Sequence, residues 1–256
     1  MSPSSVSADA VAAALHDAAA AVAEALAAAP DWGEAGTRPG QHHSDLAADA
    51  AAVGVLGAAG LGVLSEESGR HHADRAVTVV VDPLDGSTNA SRRLSWWATS
   101  LCAVDAEGPW VSLVVDLRHG TRWTAVRGGG AFRDGERVRT SGCTALDEAI
   151  VGLNGVPAGH GGWAQYRVLG AAALDLCAVA DGTLDGFLDA TTDELAPWDY
   201  LGAVLVCREA GATVVDAAGR DLVVLDHAAR RIPVAGATPA VADALAARHP
   251  RFGVAR

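Results

Sequence analysis

The chain has 256 residues, half of them apolar, with 31 acidic against 19 basic residues and a formal charge of −12. That length buries a substantial core as one large or two closely packed domains. The acidic balance argues against nucleic-acid polymers and anionic membranes as partners, because both need a basic face.

Taken in chain order, residues 8–29 carry Val11, Leu15, Val22 and Leu26 on one side of a helical period, predicting an amphipathic helix. His16, Asp17 and Glu24 interrupt this stretch, the most apolar of the chain, so no bilayer span is expected. A second helix is predicted over 45–59. The segment 54–60 lacks the Gly-x-Gly start of a dinucleotide fingerprint and reads as a helix terminus. A short strand at 61–64 delivers Ser65, Glu66 and Glu67 into a loop, and a buried strand at 78–81 ends in Asp82-Pro83-Leu84-Asp85-Gly86-Ser87-Thr88-Asn89. Residues 98–104, 110–116 and 121–127 read as antiparallel strands, and Asp134-Gly135 as a tight turn. Beyond Ser141 the pattern becomes strand–helix alternation. Strands are predicted at 149–153, 186–188, 213–215 and 234–236, with helices at 171–180, from Trp198 onward, and from Thr238-Pro239 to residue 248. Such a sequence of mixed strands and then βα units predicts two layered halves, 1–140 and 141–256.

Asp82 and Asp85, three residues apart at a strand end, converge on one side, where their repulsion is costly unless a cation lies between them. The expected cation is Mg²⁺, which prefers carboxylate and carbonyl oxygen. Gly86 permits a sharp turn, while Ser87 and Thr88 cap a short helix whose N–H groups suit a phosphate. The same residue types also make ordinary surface turns. A calcium-loop reading fails, because Gly86 would require ligand residues at Val81 and Pro83. Glu66-Glu67 at another strand end and Asp199 at the start of a helix add carboxylates. Singly they read as a solvated loop and a helix cap, but a multi-metal site needs several acids from separate elements.

Cys102, Cys143, Cys177 and Cys207 are widely spaced and read as core residues of a reducing cytoplasm, and no signal peptide is expected. His42-His43 and His71-His72 read as exposed loop histidines, and Arg92-Arg93 and Arg230-Arg231 as solvated cations.

The acid Asp49, then Glu66-Glu67, then Asp82-Pro83-Leu84-Asp85-Gly86-Ser87, then Trp198-Asp199 resemble the pattern of the inositol monophosphatase family of Mg²⁺-dependent, lithium-sensitive phosphomonoesterases. Arg127-Gly128-Gly129-Gly130-Ala131-Phe132, Gly170-Ala171-Ala172-Ala173, Asp185-Gly186-Phe187 and Glu209-Ala210-Gly211-Ala212 extend the likeness over nearly the whole chain. The resemblance implies a mixed α/β fold, an αβαβα sandwich of the inositol monophosphatase and fructose-1,6-bisphosphatase type, with its site where the halves meet. It implies two to three Mg²⁺ ions: one on Glu66, Asp82 and the Leu84 carbonyl, one on Asp82, Asp85 and Asp199, and a looser one near Glu66 with Asp49 reaching it through water. Asp49 and Ser87 would orient the attacking water, with Glu66 sharing the catalytic centre. Gly86, Ser87 and Thr88 would hold phosphate oxygens, and Ala172 and Asp189 would meet the rest of the substrate, although Asp189 also reads as a plain loop acid.

Arg38, His43 and Leu46 stand where the family has Lys, Asp and Thr, which bears on the third ion and the water-orienting group. Trp96, Trp97 and Leu201 depart as well and imply a reshaped pocket. The expected substrate is a small phosphorylated metabolite: an inositol phosphate, sugar phosphate, histidinol phosphate or nucleotide. A bisphosphate nucleotidase, a sugar bisphosphatase and a catalytically silent phosphometabolite-binding homologue are the alternatives. By the same likeness the chain is expected to be a homodimer.

Overall fold

In a computed structural model, which describes residues 6–249 except 30, 31, 34 and 37–40, the apolar run Thr78-Val79-Val80-Val81 opens strand β3 (Thr78–Asp85). All eight of its residues are buried. A strand without a solvent face must be covered on both sides, and the packing shows how. Val79 and Val81 point into one apolar cluster, Val80 into another, as the two-residue period of a strand requires.

Helices α1 (Ala8–Ala28) and α2 (His43–Ala58) cover the first of these faces. Eight strands form the sheet beneath: β1 (Gly62–Ser65), β2 (Gly69–His71), β3, β4 (Ala98–Asp105), β5 (Gly108–Asp116), β6 (Arg122–Val126), β7 (Gly130–Arg133) and β8 (Glu136–Arg137). Their order is β2-β1-β3-β4-β5-β6-β7-β8, antiparallel except for β1 against β3. A one-turn helix α3 (Ser87–Ser91) follows β3. The opposite face of this sheet meets α4 (Ala172–Ala180) and α5 (Pro197–Ala210), whose other side lies on a second sheet. That sheet comprises β9 (Ile150–Asn154), β10 (Gln165–Arg167), β11 (Gly186–Asp189), β12 (Thr213–Asp216) and β13 (Pro233–Gly236) in the order β10-β9-β11-β13-β12. Helix α6 (Pro239–Ala246) closes the outer side. The five layers are helices, sheet, helices, sheet, helix: the expected αβαβα sandwich.

Differences from the sequence reading have local causes. The strand starting at Thr78 does not stop at Val81 but runs on through both aspartates, with a register shift between Asp82 and Asp85. Beta-bulges of this kind re-aim side chains. Strands β2 and β10 have three residues each and sit at sheet edges, too short to show alternation. His71 therefore lies in a strand. His42 is only partly exposed and precedes α2, with its N–H donated to Asp45 Oδ2 at 2.8 Å. The turn at Asp134 (φ 50°) and Gly135 (φ 85°) has both residues left-handed, the geometry of a two-residue hairpin. Helix α1 is, by length and apolar content, able to cross a membrane; its four ionisable groups, Asp9, His16, Asp17 and Glu24, are too few to lower an alanine-rich average. In this fold its Val11, Leu15, Val22 and Leu26 are buried against the first sheet and α2. Cys102, Cys177 and Cys207 are buried, Cys143 is half-buried, and all four are free thiols.

Candidate metal centre

The first sheet and α5 each carry acids to one place. Glu66 follows the last residue of β1, Asp82 and Asp85 belong to the bulged end of β3, and Asp199 lies in the first turn of α5. A carboxylate oxygen from each of Glu66, Asp82 and Asp199 lies within 4.8 Å of the other two. The carboxyl of Asp82 is only 1% exposed. Burial, and then the charges of Glu66, Asp85 and Asp199, hold it well above the usual carboxylate range, while the Leu84 N–H, 3.0 Å from Oδ1, pulls the other way. Burial pushes Asp85 up to about 8 against the pull of the Ala173 N–H, with Asp175 adding to the rise. Burial likewise pushes Asp199 up to about 7; the Ala196 N–H opposes it, Asp85 adds to it, and Arg230 opposes it more weakly.

Two of these acids are held by helix starts. Asp199 Oδ2 accepts the Ala196 N–H at 2.6 Å, so the expected helix-capping role and the cluster role coincide in one side chain. Asp85 Oδ2 accepts the Ala173 N–H at 2.8 Å, and the Ala172 N–H also favours its charge. A carboxylate of β3 thus caps α4, whose own preceding residue, Ala171, makes no side-chain cap. Ala172 is 8% exposed with its N–H directed to Asp85.

The residues fit a hard divalent cation. The donors are all carboxylate oxygen, and among the described residues none of Asp82, Asp85 and Asp199 has an ion-pair partner. Like charges this close are stable only when protonated or when joined by a cation.

Other residues singled out from sequence fall as follows. Asp49 is buried on α2 and accepts a hydrogen bond from the Ser65 hydroxyl, which in turn accepts the Glu67 N–H at 3.3 Å. Gly86 takes φ +82° and begins α3, so Ser87 and Thr88 sit within its first turn rather than capping it. The first N–H groups of such a turn have no partner inside the helix. Leu84 is 5% exposed beside Asp82. Asp189 has no exposed surface: its Oδ1 accepts from Thr191 N–H and hydroxyl and from Asn154, which organises the end of β11. It is therefore closed to a solute in this conformation. Leu46 and His43 are exposed, and Arg38 lies outside the described residues.

Asp175 and His227 escaped the sequence reading, and Trp96 and Arg230 have partners that it did not give them. The Trp96 indole N–H donates to Asp175 Oδ1 at 2.8 Å, and burial pushes this acid of α4 up to about 7. An acid inside an otherwise apolar helical run was the available signal. Arg230, expected in solvent, is half-buried with its guanidinium carbon 5.4 Å from the Trp198 ring centroid. His227 lies against the same ring. Trp97 turns away from the acids and lines, with Trp32, Leu94, Arg93 and Arg118, a cavity of about 410 Å³ that none of the cluster acids borders.

The layered fold and the acids gathered between its sheets define the class, a five-layered α/β sandwich with a carboxylate cluster. The chain belongs to the inositol monophosphatase family, whose model matches residues 45–251. It is 36% identical over 174 residues to an inositol-1-monophosphatase of Rhizobium meliloti strain 1021, covering 62% of this chain and 64% of that protein. Over 172 residues it is also 36% identical to the Nus factor SuhB of Escherichia coli K12, covering 61% and 63%. The matches thus span just under two thirds of the length of these curated relatives. The solved structure of the extragenic suppressor protein suhB from Bartonella henselae superposes with a TM-score of 0.79 at 26% identity, over 96% of this chain and 100% of that one.

Proposed function

We propose that the chain is a Mg²⁺-dependent phosphomonoesterase acting on a small phosphorylated metabolite, with two to three ions on Glu66, Asp82, the Leu84 carbonyl, Asp85 and Asp199. The observation that supports this most directly is the convergence of carboxylate oxygens of Glu66, Asp82 and Asp199 within 4.8 Å of one another. Bound Mg²⁺ supplies an acidified water and charge neutralisation for the phosphate and the departing alkoxide. The chain's own residues hold and orient. Asp49, fixed by Ser65, and the Ser87 hydroxyl direct the water, and the N–H groups of Ser87 and Thr88, presented by the left-handed Gly86, receive phosphate oxygens. The buried Asp189 shapes the end of β11 rather than touching the substrate. Lithium sensitivity, a cytoplasmic location and a homodimer belong to the same reading, with exposed Val156, Tyr166 and Val168 available to a second copy.

Phosphate release from a panel of inositol, sugar, histidinol and nucleotide monophosphates and bisphosphates, with and without Mg²⁺, EDTA and lithium, tests it. Turnover that needs Mg²⁺ and drops at least about a hundredfold in Asp82→Asn supports the proposal. Turnover surviving EDTA, or unchanged in that variant, refutes it. Tight Mg²⁺-dependent ligand binding without turnover identifies a silent homologue instead.

A further inference from the structure

The segment 217–232, between β12 and β13, leaves the second sheet and reaches the first. Its path is pinned at the base, where the Tyr200 hydroxyl donates to the Leu222 carbonyl at 2.9 Å and the Arg231 N–H to the Leu195 carbonyl at 2.7 Å. From there two hydrogen bonds cross between the halves. Arg70 Nη1 of β2 donates to the Leu225 carbonyl at 3.2 Å, and His227 Nε2 lies 3.0 Å from the carbonyl oxygen of Glu66. A carbonyl only accepts, so Nε2 carries the proton. The His227 ring also packs on Trp198, with centroids 4.7 Å apart, and Arg230 lies over the same indole. Arg230 Nη1 donates to the His227 carbonyl at 2.9 Å, which locks the two contacts together.

The geometry points to His227 as a positioning residue for the metal centre: it clasps the backbone of Glu66 to the ring of Trp198, the neighbour of Asp199, and so fixes the spacing between acids from the two halves. This rests on the reading that those acids hold a divalent cation. The Glu66 N–H donates to the Val81 carbonyl of β3 at 3.2 Å, so His227, through the Glu66 carbonyl, holds the other side of the same residue. Carboxylates held at the right spacing before the ion arrives bind it more tightly, because the ordering cost is already met in the free protein.

The test is Mg²⁺ titration calorimetry on the full chain, comparing wild type with His227→Ala, His227→Gln and Arg70→Ala. His227 is exposed, so its removal leaves the core intact. The expected result is a Mg²⁺ dissociation constant raised about tenfold in His227→Ala, restored to within about threefold in His227→Gln, whose amide keeps a donor, and a smaller rise in Arg70→Ala. If the substrate screen yields turnover, the Mg²⁺ activation constant should rise in His227→Ala while kcat at saturating Mg²⁺ is retained. An unchanged dissociation constant in His227→Ala, with wild type binding Mg²⁺ normally, overturns the clasp but leaves the metal reading standing. Equal weakening by Ala and Gln also overturns it. Absence of Mg²⁺ binding by wild type overturns the metal reading and the clasp together.

Discussion

Replacing Asp85 by Asn should stabilise the metal-free protein at alkaline pH and remove most of what Mg²⁺ adds. Asp85 is 9% exposed, and burial raises its carboxyl from 3.8 to about 8. At pH 9 that difference corresponds to about 6 kcal/mol against ionisation. Water entry, local rearrangement and repulsion shared with the other acids should leave about 3 kcal/mol of it in a measurement. The sign follows from proton linkage. The folded state binds the Asp85 proton more tightly than the unfolded state does, so stability from this group is full below about pH 4 and is lost as pH rises through about 8. Asparagine keeps a carbonyl acceptor for the Ala173 N–H and carries no charge to suppress. Urea unfolding in EDTA should therefore show Asp85→Asn more stable than wild type by about 3 kcal/mol at pH 8.5, with the gap much smaller at pH 5 and closed below about pH 4. In Mg²⁺ at a hundred times its dissociation constant, wild type gains about 2.7 kcal/mol and the variant much less, so the ranking narrows or inverts. A variant equally destabilised at both pH values, whatever the Mg²⁺ concentration, would refute the reasoning by making Asp85 a helix cap alone.

Three further outcomes are expected. Mg²⁺ binding at pH 7 should release protons, because burial pushes Asp85 up to about 8 and Asp199 up to about 7; calorimetry in buffers of different ionisation enthalpy counts them, and a buffer-independent heat contradicts the cluster. Gly86→Ala should cost about 2 kcal/mol, since φ is +82° and the new Cβ would lie 3.0 Å from the Trp96 carbonyl and 3.2 Å from Ala171 Cβ. Chemical denaturation measures that cost. Trp96→Phe removes the indole donor to Asp175, which should raise that acid further and cost about 1–2 kcal/mol above pH 7, less at pH 5. A loss independent of pH would assign Trp96 to packing alone.

How much of this was legible from residues alone depended on periodicity. The alternation in 98–104 and 110–116 and the helical spacing of Val11, Leu15, Val22 and Leu26 set elements that packing then kept. Where the chain departs from a period, sequence reading lost the thread. The bulge that carries β3 through Asp82 and Asp85 looks in sequence like a strand followed by a turn, because Pro83 and two aspartates are poor strand formers. For the centre, Glu66, Asp82, Asp85 and Asp199 were legible as acids at element ends, and their order carried the family resemblance. The capping of α4 by Asp85 was not, since a hydrogen bond across 88 residues leaves no local mark. His227 and Arg230 lie in an irregular segment, where a histidine or an arginine reads the same whether it faces water or an indole.

The acids come from opposite ends of the polypeptide, and this has a consequence during synthesis. A ribosome that has delivered the first 140 residues has already made Glu66, Asp82 and Asp85, but neither Asp199 nor the helix start that Asp85 caps. Three crowded carboxylates then await a partner some sixty residues away in the unmade chain. Domains tend to fold in the order they emerge, so the early part carries its electrostatic strain openly until the later part docks. On the proposed metal reading, tight capture of an ion would then mark a finished molecule, and a truncated product would be left without that mark.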